Sequence, residues 1–196
     1  MLYFNEREFM DSKDFLNNIL IGEDVVDNIR TNLQDLTLII TEISDMIGFE
    51  HKHPHHHLDV WEHTLYALSL SSNNFDIRLA LLLHDIGKPH SFQDGEVRHF
   101  KWHPEMSAHI TEHILKRLDY SEEYISYICE IVNRHDTPLT KENIFSNTKL
   151  SKMIFEVQKC DALAHNPTKN KKRLEYIENI TKIFNENEQI NESVKN

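Results

Sequence analysis

Apolar residues recur along most of this chain at the three-and-four spacing of amphipathic helices. A short pattern runs from about Phe9 to Leu20, and a longer one begins after Gly22. The longer pattern comprises Val25, Ile29, Leu33, Leu36, Ile40, Ile43 and Ile47. We expect two packing helices here, with no chemistry of their own.

In the middle of the chain, residues typical of helix starts predict three helices. Asp59 and Glu62 form a variant of the capping box, so a helix should begin near Val60. A second helix should begin near Phe75, and Pro104 suits the first turn of a third. Between the second and third helices, residues 91–100 carry an Asp-Gly turn signal and predict a short loop or hairpin insertion.

Three further helices are predicted towards the carboxyl end. They begin near Ser121, near Thr148 and before Leu174, and the second of them ends at Asn166-Pro167. Since no long alternating strand pattern competes and the chain has only four glycines and five prolines, the fold class is all-α. We expect packing helices over 1–50, a functional helical region over 51–184 and a polar tail over 185–196, all in one compact domain.

Composition narrows the choice of partners. The formal net charge of −11 argues against a nucleic-acid partner, which requires clustered basic residues, while a small phosphorylated ligand remains compatible with it. No apolar run is long enough to span a membrane and the first residues do not form a secretory signal, so we expect a cytoplasmic protein. The two cysteines are expected to be reduced.

The run from Leu79 to Leu83 is apolar, yet it ends on His84 and Asp85, and Gly87, Lys88 and Pro89 then stop the helix. A buried carboxylate beside an imidazole requires a cation partner, a dense set of hydrogen bonds or a metal ion.

Several other helical stripes carry a similar polar residue. His63 and Asp161 lie within apolar stripes, His135 lies at the end of one, and His103 begins a helix. A single such histidine is more often a hydrogen-bonded core residue, but four stripes with this feature favour convergence on a catalytic metal. The ordinary alternatives are a polar helix start for His103 and a cation at a helix carboxyl end for His135.

These residues resemble the HD-domain superfamily of metal-dependent phosphohydrolases, whose pattern is a His, an adjacent His-Asp pair and a distant Asp on successive helices. His63, then His84 and Asp85, then Asp161 match that pattern in order. The segments 56–64, 83–89 and 161–167 look most like the HD domain of bacterial tRNA CCA-adding nucleotidyltransferases. The chain is too short to include their nucleotidyltransferase head, so we expect a stand-alone HD protein with an HD-domain helical bundle.

The resemblance implies one or two divalent ions. In a two-ion site Asp85 bridges, His63, His84 and Asp161 hold one ion, and His103 and His135 hold the other. Fe, Mn, Co, Ni or Zn is favoured over Mg alone. Asp136 follows where some dinuclear members place a further ligand, so its role stays open.

We expect the remaining polar residues to contact the substrate or to lie at the surface. We expect Lys88 to contact a substrate phosphate, the alternative being a solvated loop lysine. His56 and Arg134 are candidate substrate-binding residues, with Arg98 and Lys101 as further rim candidates. His109, His113 and His165 are expected to be surface or ordinary helical residues.

The expected activity is hydrolysis of a small phosphoester, such as a nucleotide or cyclic nucleotide, by a metal-activated water. Two alternatives keep the fold: a di-iron oxygenase, or a non-catalytic metal-binding or interaction module.

Overall fold

The computed structural model describes residues 11–195 and is helical along most of that range. Its α-helices are α1 (Ser12–Leu20), α2 (Val25–Thr31), α3 (Leu33–Ile39), α4 (Val60–Ser69), α5 (Phe75–Leu83), α6 (Lys88–Ser91), α7 (His103–Arg117), α8 (Glu122–Asn133), α9 (Lys141–Ser146), α10 (Thr148–Ala164) and α11 (Lys171–Lys195), with a 3₁₀ helix over Thr41–Asp45. Within this part of the chain no strand forms, and the all-α prediction is confirmed. None of the helices described over 11–195 is long and apolar enough to cross a membrane.

Helix α5 lies at the centre of the bundle and packs against α4, α8 and α10. Every side chain from Ile77 to Leu83 is buried, which explains why its sequence is apolar on all sides. Arg78 is buried as well, and its guanidinium donates hydrogen bonds to the carbonyls of Leu20 and Gly22, 2.6 and 2.8 Å away. The central helix thereby holds the carboxyl end of α1.

The amino-terminal region is more broken than the sequence predicts. The long pattern from Val25 to Ile47 forms α2, α3 and the 3₁₀ helix, with non-helical backbone angles at Asn32 and Ile40. Adjacent β-branched residues from Ile39 to Thr41 weaken helix propagation, and the breaks leave the buried side chains on the core side. Phe9, the predicted start of the first helix, lies outside the described residues.

The chain between α5 and α7 positions much of the site. Helix α5 ends at Leu83, four residues before the predicted Gly87 stop, and Lys88 begins the short helix α6. Residues 92–102 then form a loop in which Gln93 and His99 pair as an isolated bridge, so the predicted insertion is confirmed.

The last helix continues where the sequence predicted a polar tail. Helix α11 extends past Phe184 to Lys195. The reason is a set of polar contacts with neighbouring helices: Asn187 is buried against Thr148, and Glu186 and Glu188 pair with Lys141 and Lys152.

Candidate metal centre

Three packed helices bring one His/Asp cluster together in the core. His63 lies on α4, His84 and Asp85 follow α5, and Asp161 lies on α10; their exposure is at most 4%. Nε2 of His63 lies 2.8 Å from Oδ1 of Asp161 and 3.7 Å from Oδ2 of Asp85. Nε2 of His84 lies 3.3 Å from that Asp85 oxygen and 3.7 Å from Oδ1 of Asp161. Four ligand atoms thus face one small volume.

A second group of imidazoles approaches the other oxygen of Asp85. His103 begins α7 and His135 follows α8. Their Nε2 atoms lie 3.4 and 3.8 Å from Oδ1 of Asp85 and 3.1 Å from each other. Asp85 therefore stands between the two groups, with one carboxylate oxygen towards each.

Backbone carbonyls orient three of these rings. Nδ1–H of His84, His103 and His135 donates to the carbonyl three residues earlier in each case, at 2.6, 2.7 and 2.6 Å. A hydrogen bond of this kind fixes the tautomer and turns Nε2 towards a metal. The turn of backbone that ends at each of these histidines is therefore part of the site.

The buried polar atoms fit a metal. Nε2 of His84 and Oδ1 of Asp85 are buried without a hydrogen-bond partner, and such an atom costs roughly 1–3 kcal/mol when it stays unpaired. Burial lowers the pKa of His103 to about 3, and burial together with His84 lowers the pKa of His135. Two neutral rings whose Nδ1 atoms are both donors present lone pairs to each other across 3.1 Å, and a cation between them relieves that repulsion.

The carboxylates supply negative charge to the same volume. Burial alone would raise the pKa of Asp85, but His84 and Lys88 hold that pKa well below its usual range. Burial likewise opposes ionisation of Asp161, whose pKa His165 and His63 hold well below its usual range. Although burial disfavours a charged ring, Asp85 and Asp161 raise the pKa of His84 to about 10, so positive charge is favoured at this point. The donor set of imidazoles and carboxylates suits a divalent transition metal.

Lys88 is a buried member of the site. Its Nζ donates to Oδ2 of Asp85 at 2.7 Å and to Nε2 of His51 at 3.0 Å, and the residue is 4% exposed. The alternative of a solvated loop lysine is therefore wrong. His51, which the sequence reasoning missed, is held in turn because its Nδ1–H donates to the carbonyl of Leu58 at 2.9 Å.

Two further histidines lie beside the centre. His165 was expected to be a surface or ordinary helical residue, but it is 3% exposed, and its Nδ1–H donates to the Asp161 carbonyl at 2.7 Å. With His63 and Asp161 it forms a third possible metal-binding group. His56 stacks on His51 at 3.7 Å between ring centroids and also lines the cavity above the centre. His109 and His113 lie on α7 with their side chains in contact at the surface, as expected.

A cavity of about 400 Å³ opens above the metal centre. The candidate substrate residue Arg134 does not line it: the side chain of Arg134 lies beside Glu130, because α8 ends there and the chain turns. Arg173 from α11 lines the cavity instead, with Nη1 3.8 Å from Oδ2 of Asp161 and 3.5 Å from Oδ1 of Asp136. Asp136 is exposed and belongs to neither ligand group.

The two rim candidates also line this cavity but differ in their contacts. Arg98 lies over the rings of Phe49 and Phe92 and donates to Asp94 and to the Glu50 carbonyl, so it holds the insertion in place. Lys101 is exposed and lies over the Trp102 ring.

A helical bundle whose core holds converging His and Asp donors defines a metal-binding protein of the His-Asp type. The model of the HD domain family matches residues 35–182, and the chain belongs to that family. It is also 33% identical over 115 residues to a CC-adding tRNA nucleotidyltransferase of Thermus thermophilus, and 33% identical over 143 residues to an A-adding tRNA nucleotidyltransferase of Deinococcus radiodurans. These matches cover 55% and 67% of the chain but only 26% and 32% of the relatives, so the chain spans about a third or less of their length.

Proposed function

We propose that this chain is a metal-dependent phosphohydrolase acting on a small phosphoester, a nucleotide or cyclic nucleotide. The observation that carries the proposal is the position of Asp85, whose two oxygens face two separate groups of imidazoles. Membership of the HD domain family supports the same class of chemistry.

In this proposal His63, His84, Asp161 and Asp85 would hold one divalent ion, and Asp85, His103 and His135 would hold a second. Bound ions of this kind lower the pKa of a water molecule and neutralise charge on phosphoryl oxygens. The remaining steps depend on side chains of the chain itself.

Lys88 positions the phosphoryl group. An ammonium has three N–H donors, and two of those on Lys88 are directed to Asp85 and His51. The third is available to a phosphoryl oxygen, and a charge-assisted hydrogen bond of this kind strengthens as negative charge develops in the transition state. His51 limits the motion of the ammonium and so acts as a positioning residue.

The charge of the cavity supports an anionic substrate. The cavity is lined by four cations and three carboxylates: Lys88, Arg98, Lys101 and Arg173, with Asp85, Asp136 and Asp161. The cavity is thus less acidic than the chain, whose formal net charge is −11, and bound metal ions would add positive charge that attracts a small phosphorylated molecule.

The test is a phosphoester panel assayed for phosphate release. Untagged protein is supplied in turn with Mn, Co, Ni, Fe and Mg and offered nucleoside monophosphates, cyclic nucleotides and generic phosphoesters. We expect turnover of at least one nucleotide, loss of turnover with a chelator, and recovery when the metal is restored. Absence of turnover with every metal and every substrate would contradict the proposal and would favour a non-catalytic module.

A further inference from the structure

A second cavity beside the metal centre is basic. It measures about 440 Å³ and is lined by His55, Thr168, Lys169, Lys171, Lys172 and Arg173. Four of these residues are lysines or arginines within five positions of the sequence, in a chain whose formal net charge is −11. The local charge therefore has the opposite sign to that of the whole molecule.

This basic cavity adjoins the site through Arg173, which lines both cavities. Its guanidinium lies within 3.8 Å of the Asp161 carboxylate, so one side chain reaches from the metal centre to the basic cavity. None of the proposed metal ligands lines the basic cavity. A group bound there is consequently not the phosphoryl group that reacts.

The wall of the basic cavity is held in place by hydrogen bonds. Asn166 donates from its backbone N–H to the His55 carbonyl at 2.8 Å and from its side chain to the Pro54 carbonyl at 3.2 Å. The Asn166 side chain also accepts from the backbone N–H of Thr168 at 3.1 Å. The anchored turn carries Lys169 and leads directly into α11, whose first residues are Lys171 and Lys172, so the backbone that bears these lysines is already ordered before binding.

Nearby carboxylates neutralise little of the charge on the three lysines, whereas Arg173 lies close to both Asp136 and Asp161. Glu175 approaches Lys171 at 3.9 Å, but both side chains are largely exposed, and an ion pair of that kind contributes little in water. Asp136 lies 3.5 Å from Arg173 on the side of the metal centre. Lys169 and Lys172 are exposed.

We infer that the natural substrate carries a second phosphate group, which Lys171 and Lys172 bind while the first phosphate lies at the metal centre. The inference rests on the proposed function and narrows its substrate class from simple monophosphates to molecules with two separated phosphates. Arg173 lies between the two positions and contacts the part of the substrate that joins them.

The test compares two ligands that differ by one phosphate. Binding of the non-hydrolysable phosphonate analogues of adenosine 3′-monophosphate and adenosine 3′,5′-bisphosphate is measured by calorimetry on metal-loaded protein, so that the first phosphonate can lie at the metal centre and neither ligand is consumed. We expect the bisphosphate to bind about tenfold more tightly, and its advantage to shrink in 1 M salt because exposed charges are screened.

In the double variant Lys171→Gln/Lys172→Gln the ratio of the two affinities should fall towards one. The control Lys149→Gln/Lys182→Gln makes the same charge change at exposed lysines that do not line the basic cavity, and should keep the ratio.

Equal affinities in the wild type, or the same drop in ratio in both double variants, would overturn the inference. Hydrolysis is followed separately on metal-loaded protein. Preferential binding without hydrolysis would contradict the proposed function alone, and hydrolysis without preferential binding would contradict this inference alone.

Discussion

At the scale of single residues, the site depends on side chains whose orientation is fixed by hydrogen bonds to neighbouring residues. Lys88 illustrates this, because Asp85 and His51 each accept one of its N–H groups within 3.0 Å. Sequence reasoning selected Lys88 as a phosphate contact but gave no sign of His51, which occurs in a run of histidines where position alone does not separate buried from exposed rings. His165 was missed for a related reason, since it follows the end of α10, where helical periodicity no longer applies.

Substitutions of Lys88 and His51 test this arrangement. We expect Lys88→Met to lower kcat by roughly 10²–10³-fold, as for other groups that stabilise transition-state charge, while metal content stays near that of the wild type. His51→Ala should lower kcat less, and His51→Gln should restore part of it because the amide oxygen supplies an acceptor.

The matched control is His57→Ala, which alters an exposed histidine of the same loop. Phosphate release and metal content are measured for all four variants. Equal kcat for Lys88→Met and the wild type, or no difference between the two His51 variants, would contradict the assigned roles.

At the scale of elements, the close approach of α6 and α7 positions His103. Gly87 allows it, because a Cβ atom at that position would lie 2.5 Å from the backbone N of Ser107 and 2.9 Å from the His103 carbonyl oxygen. The sequence predicted Gly87 as a helix stop, yet its φ of −82° is one that any residue adopts, and its function is to permit this contact. A glycine required for packing cannot be told from a helix stop without the position of the partner helix.

Gly87→Ala is therefore expected to destabilise the fold by roughly 1–3 kcal/mol, since backbone atoms cannot move aside as a flexible side chain can. Displacement of α7 should also weaken metal retention through His103. Gly95→Ala is the control, because its Cβ would meet only the Val97 carbonyl oxygen at 3.4 Å. Thermal unfolding and metal analysis give the two readouts, and equal stability of both variants would contradict this explanation.

At the scale of the whole molecule, the site is a product of tertiary packing that the sequence nevertheless indicates. Polar residues at buried helical positions indicated His63, His84 and Asp161, because a charged group in an apolar stripe requires a partner from another helix. The basic residues that line the cavity were harder to predict. Arg134 is near His135 in sequence but turns away with α8, whereas Arg173 reaches the cavity from α11, 12 positions after Asp161. Which basic side chains reach the site depends on where the ends of the helices lie relative to it.

The central claim is that Asp85 joins two metal-binding groups into one hydrolytic centre. It is tested most directly by metal analysis of Asp85→Ala together with phosphate release, with circular dichroism to follow the helices and Asp27→Ala as a control at an exposed carboxylate. We predict that Asp85→Ala loses both bound metal and phosphoester hydrolysis while its helical spectrum and the control's activity are retained. Full turnover by Asp85→Ala would contradict the claim.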